Sequence, residues 1–238
     1  MTDKKRINSG KGFSLQVRLC AVLVLLLTVC LIFTGCNKTE TEGNDDSYYG
    51  EPVTEYVASS ADLYCLEINK YSGPFVEDGQ NEQVENVATI LVENRSKHFL
   101  DYAQVTYSVD GKTATFNVTG LPAGEKAWVL EAGKMVIDGK PDFEFLDCQS
   151  TFKKDAIVKT DLLEVKTEDN VLTVKNTGDV TLKNVCVYYK NVNSDGNYLG
   201  GITYMLGFDT LEADMTAQRE SAHFSDNSRI VRFSYQTE

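Results

Sequence analysis

The chain has 238 residues, 42% of them hydrophobic, and sets 23 Lys+Arg against 35 Asp+Glu for a formal net charge of −12. That apolar share is enough to fill a core. The acidic balance repels phosphate backbones and excludes nucleic acid as a partner.

Lys4, Lys5, Arg6, Lys11 and Arg18 precede an uncharged apolar run over 19–33. A positive flank followed by a short apolar core is the order of a secretory signal. The run is shorter than the ~20 residues that a spanning helix needs. It closes on Phe33-Thr34-Gly35-Cys36, small side chains just before a cysteine. This tetrapeptide resembles the bacterial lipobox, with Phe33 standing where Leu is commonest. The resemblance implies a signal peptide over 1–35, cleavage between Gly35 and Cys36, and a diacylglyceryl group on the Cys36 thiol. The membrane is then a partner through that anchor, and the body of the chain sits on the extracytoplasmic face of the cell membrane. Two acyl chains at ~0.8 kcal/mol per buried methylene make such an attachment stable. The competing reading is an uncleaved signal anchor with an incidental cysteine, which also leaves the remainder outside.

The leader carries five bases and one acid, so its removal leaves 18 bases against 34 acids and a net charge of −16. Residues 36–60 form the expected flexible acidic linker, with Glu40, Glu42, Asp45, Asp46, Glu51 and Glu55 and few large aliphatics. Of the six cysteines, Cys20 and Cys30 leave with the leader and Cys36 is acylated. Cys65, Cys148 and Cys186 remain, too few for a disulfide scaffold.

Beyond residue 60 the chain repeats itself. Residues 90–107 align without gaps on 172–189: Ile90 on Leu172, Val92 on Val174, Asn94 on Asn176, Leu100 on Leu182, and Ala103, Val105 and Tyr107 on Val185, Val187 and Tyr189. The matched apolar positions alternate, as one buried face of a strand requires. The correspondence extends to Leu121-Pro122-Ala123-Gly124 against Leu211-Glu212-Ala213-Asp214, and each copy closes on an aromatic-rich strand. Turn signals such as Asp110-Gly111, Asp138-Gly139 and Asp195-Gly196 separate the strands. An all-β chain is expected: two tandem immunoglobulin-like β-sandwich domains, over 61–150 and 157–238, each of about seven short strands.

The second copy carries Val174-Lys175-Asn176, then Val185-Cys186-Val187-Tyr188-Tyr189, then Asp195-Gly196. This order resembles the FxLYD group of immunoglobulin-like domains found in exported bacterial proteins. Val185 and Val187 replace the Phe and Leu of the naming motif, Tyr188 keeps its Tyr, and the Asp is missing. The resemblance implies a fold and a surface role, with no catalytic residues to transfer.

Candidate chemistry is sparse. Asn191-x-Asn193-x-Asp195-Gly196 opens like a calcium loop, but its twelfth position is Ile202, and a hairpin tip is the better reading. His223 stands between Ser221 and Asp226, too close in sequence for a triad whose members converge from separate elements. No metal or cofactor set emerges. Cys65 and Cys148 fall on the first and last strands of copy one, which in a sandwich of this type can run side by side, so they are read either as a disulfide or as two buried thiols. Cys186 lacks a visible base. Copy two has a central hairpin about eight residues longer than its counterpart, with Tyr188, Tyr198, Tyr204 and Met205 on or beside it. These residues either bind a partner or pack on their own sheet. The expected function is that of a non-enzymatic surface lipoprotein that contacts an envelope protein or extracellular ligand. An accessory lipoprotein of a transporter or secretion assembly is the second reading, and an enzyme built on His223, Cys186 or Asp226 the third.

Overall fold

Alternating apolar side chains build the body almost wholly from strands. The computed structural model describes residues 62–80 and 82–238. The expected signal peptide, the expected cut between Gly35 and Cys36, the expected lipid on Cys36 and the expected linker through residue 60 lie outside the described residues. The first repeat forms β1 (Leu63–Phe75), β2 (Glu82–Asn94), β3 (Phe99–Val109), β4 (Lys112–Leu121), β5 (Lys126–Leu130) and β6 (Phe143–Lys153). The second forms β7 (Leu163–Glu168), β8 (Val171–Asn176), β9 (Leu182–Val192), β10 (Tyr198–Gly207), β11 (Thr210–Leu211), β12 (Thr216–Glu220) and β13 (Ser228–Thr237).

The duplication in sequence is a duplication of topology. In the first repeat β2 lies between β1 and β5, and β3 between β4 and β6. In the second, β8 lies between β7 and β12, while β9 has β10 and β11 on one side and β13 on the other. Strands β1–β6 and β7–β13 pair in the same order. The segment between β5 and β6 contributes only an isolated bridge, Val87 to Val136.

Each repeat encloses its own core. Ile90 and Val92 of β2 face Ala103, Val105 and Tyr107 of β3 in one cluster, and Leu172, Val174, Val185, Val187 and Tyr189 join in the other. Burying a side chain of this size stabilises the fold by about 1.5–3 kcal/mol. Tyr107 is ringed edge-on by Phe116, Phe143 and Phe145. At the β3–β4 turn, Asp110 and Gly111 have φ of 47° and 77°, the two left-handed residues that a type I′ hairpin requires.

The two aligned asparagines are buried polar pins. Asn94 Nδ2 donates to the carbonyls of His98 and Leu121 while its Oδ1 accepts from Ser96 N. Asn176 Nδ2 donates to Val180 O, Leu211 O and Glu212 O while its Oδ1 accepts from Gly178 N. Each side chain ties the turn after its strand to the Leu-led turn that closes the opposite side of the repeat. Asn176→Ala strands those carbonyls without a donor. Denaturant unfolding should show a loss of about 2–3 kcal/mol, whereas Thr177→Ala, at an exposed turn position, should stay within about 1 kcal/mol.

Cys65 lies on β1 and Cys148 on β6, in facing sheets rather than side by side in one sheet, because β1 pairs with β2 and β6 with β3. Both residues are thiols, with Cys65 buried. The buried thiol donates to Glu67 O at 3.6 Å, and desolvation pushes its pKa up to about 11. Cys186 on β9 is half-buried.

The repeats do not stand apart. Tyr198 and Leu199 of β10 pair in parallel with Ala127 and Trp128 of β5, so one sheet runs continuously from β1 through β2, β5, β10 and β9. The extra length of the second hairpin supplies this contact. Tyr198 is 4% exposed and lies in the core of the first repeat, together with Val231 of β13.

Candidate functional site

The junction between the repeats combines a buried charged node with an open cleft. Both depend on interruptions of strand register. Between Leu199 and Tyr204 the pairing of β10 with β9 breaks, which frees the amides and carbonyls of residues 200–203 for other partners. The Glu77 carboxylate accepts from Gly201 N at 2.8 and 2.9 Å, from Ile202 N at 3.2 Å and from Leu130 N at 2.8 Å. Lys190, fully buried on β9, donates to Thr119 O at 3.1 Å, Gly201 O at 3.0 Å and Ile202 O at 2.5 Å. All three ammonium donors are thereby used. Desolvation lowers the Lys190 pKa from 10.5 to about 7, opposed by the Glu77 charge, while burial raises that of Glu77.

The backbones approach closely around this node. A Cβ on Gly201 would overlap the Asn117 carbonyl oxygen, and one on Gly120 would overlap the Thr203 hydroxyl. Thr119 Oγ1 donates to Gly201 O at 3.0 Å, and Thr203 Oγ1 donates to Thr119 O at 2.8 Å.

Beside the node lies a cleft of about 240 Å³ lined by Phe99, Asp101, Thr119 and Gly120 of the first repeat and Tyr188, Thr203 and Arg232 of the second. Two β-bulges aim its charged residues. β13 has an extra residue, Val231, between the pairs Ile230–Tyr189 and Arg232–Tyr188. The bulge sends Val231 into the first repeat's core and leaves Arg232 across from Tyr188. β3 is bulged between Leu100 and Tyr102, where Asp101 is the unpaired residue. Bulges of this kind redirect side chains at the cost of local ladder bonds. The Arg232 guanidinium stacks on Tyr188 at 4.1 Å and lies 5.6 Å from the Phe99 ring centre. Asp101 Oδ1 is 3.6 Å from Arg232 Nη1 and 2.8 Å from Lys153 Nζ.

The residues singled out in the sequence are dispersed around this region. Tyr188 lines the cleft, and Tyr198 is buried at the junction. Tyr204 stacks between Tyr189 and His223, and Met205 is 54% exposed. Ser221 Oγ shares a hydrogen with Tyr189 OH and accepts from His223 N, while the His223 ring lies flat on Tyr204. The loop at 191–196 is held by Asn193, whose Oδ1 accepts from Asp195 N and Asn197 N. Among the described residues no cluster of three His, Cys, Asp or Glu side chains is arranged to hold a metal. No family model matches the chain, and no curated protein matches it significantly.

Arg232, Asp101, Glu77 and Lys190 escaped the sequence reading. A signal for two of the junction residues was nonetheless present. At the aligned positions the first repeat has Thr106 for Tyr188 and Ser108 for Lys190. Both differences fall where one repeat docks on the other.

Proposed function

We propose that this chain is a non-enzymatic cell-surface lipoprotein, anchored through Cys36, whose tandem immunoglobulin-like modules of FxLYD type bind an envelope component or an extracellular ligand. The leader and lipobox supply the address. The observation that carries the binding role is the cleft at the junction, where two modules joined by a shared sheet hold Arg232, Tyr188 and Phe99 around a solvent-open space. A site built on rigid strands keeps its geometry without an ordering cost at the moment of binding.

Two measurements test the reading. Cells fed radiolabelled palmitate should label the wild-type chain, and Cys36→Ala should lose the label entirely and keep its leader. Incorporation that is unchanged in Cys36→Ala would defeat the anchor. Cross-linking in intact envelopes should capture a defined partner of the 62–238 body; recovery of nothing above background would defeat the binding role.

A further inference from the structure

We infer that the junction cleft binds a carboxylate with an adjacent N–H donor, as found in N-acylated amino acids and at the C-terminal ends of peptides. This deepens the binding reading above and rests on it.

The guanidinium of Arg232 is stacked rather than saturated. Tyr188 covers one face at 4.1 Å and Phe99 flanks it at 5.6 Å. Stacking engages the faces of a planar cation and leaves its in-plane N–H fork for a bidentate partner. The neighbouring acid does not fill that role. Asp101 stands 3.6 Å from Nη1, beyond hydrogen-bonding distance, and is tied to Lys153 at 2.8 Å. Arg232 and Lys153 against Asp101 leave one net positive charge at the cleft, on a body that is otherwise strongly acidic. The Arg232 side chain keeps 15% exposure, so a ligand in the cleft meets a cation already largely stripped of water, where a charge-assisted pair is strongest.

The threonines specify the second element. The Thr203 hydroxyl donates to Thr119 O, and the Thr119 hydroxyl donates to Gly201 O or to Thr203 Oγ1. With their hydrogens committed to Gly201 O, Thr203 Oγ1 or Thr119 O, the hydroxyl oxygens of these two cleft-lining residues keep lone pairs for a donor. The complementary ligand therefore donates an N–H there, places its carboxylate on the Arg232 fork and rests its apolar part against Phe99. The cleft of about 240 Å³ holds one such residue.

The test is equilibrium binding by calorimetry and amide-resolved NMR, with N-acetylleucine as probe, N-acetylleucine amide as control, and an octapeptide ending in leucine to separate a free small molecule from a chain end. The wild type should bind N-acetylleucine with a Kd on the order of 1 mM or tighter, shifting the amides of residues 99–101, 119–120 and 203. The amide control should bind at least tenfold more weakly. Arg232→Gln should lose at least tenfold in affinity. Asp101→Asn, which removes a negative charge from the cleft lining, should gain severalfold, a result that a damaged fold would not give. Comparable binding of the octapeptide identifies a chain end as the source; binding of N-acetylleucine alone identifies a free small molecule. Equal binding of acid and amide, indifference to both substitutions, or no binding at ~10 mM would overturn the site. A partner still captured from envelopes by the Arg232→Gln protein would then show that binding occurs on another surface.

Discussion

Lys190→Met should cost about 3–5 kcal/mol of folding stability, because it leaves the enclosed Glu77 carboxylate without its counter-charge and orphans three backbone carbonyls. Glu77→Gln should cost a comparable amount. One amide oxygen cannot accept from Gly201, Ile202 and Leu130 together, and the new NH2 group would face N–H donors. The double variant should lose much less than the sum of the two, since each change removes the charge that the other leaves exposed. Additive losses would show that the two side chains act separately.

The pH dependence follows in sign. Lys190 titrates near 7 in the fold and near 10.5 unfolded, so the unfolded chain binds the extra proton between these values and stability rises with pH through that window. Glu77 is raised above 4.5 in the fold, so its contribution falls as pH climbs from 4.5. The node is therefore least favourable near neutrality. Lys190→Met should flatten the alkaline limb of the wild-type stability profile.

The second large effect belongs to Gly201. Its φ is compatible with alanine, but a Cβ there meets the Asn117 carbonyl oxygen, which no side-chain rotation can move. Gly201→Ala should force β10 away from β4, weaken the Glu77 hydrogen bonds and cost about 3 kcal/mol. Denaturant unfolding, read by Trp128 fluorescence and by far-ultraviolet circular dichroism, should then separate into two transitions as the repeats uncouple. Gly207→Ala, with nothing within 4 Å of its new Cβ, should stay within about 0.5 kcal/mol. Equal effects of the two changes would show that close approach at the junction contributes nothing.

The strands were legible because burial on one face imposes a period of two, and Ile90, Val92, Ala103, Val105 and Tyr107 keep it without interruption. The Asn94–Asn176 alignment was equally informative, because a buried amide that satisfies several backbone groups admits few substitutes. The junction left no such pattern. Its contacts between the repeats join residues some seventy to more than a hundred and twenty positions apart, as between Lys190 and Thr119 or Glu77 and Gly201, and they use single polar side chains rather than a periodic face. The bulges at Asp101 and Val231 were invisible for a related reason, since one extra residue in a strand alters register without altering composition. The length of the second hairpin was readable, but its destination was not. Tyr198 inserts beside Ala127 because β5, at the edge of a three-stranded sheet, offers unpaired backbone groups that β10 covers.

That covering has a consequence for the order in which the molecule is made. Ala127-Trp128-Val129-Leu130 is an uncharged apolar run on a strand whose outer edge is capped at Leu130 by Glu77 but covered at Ala127 and Trp128 by residues emerging some seventy positions later. Until that later segment arrives, a nascent chain carries an open template suited to pairing with another copy of itself. Synthesis rate and holding factors thus matter most during this interval, and a chain stopped short of residue 198 should clump where the finished one stays dispersed.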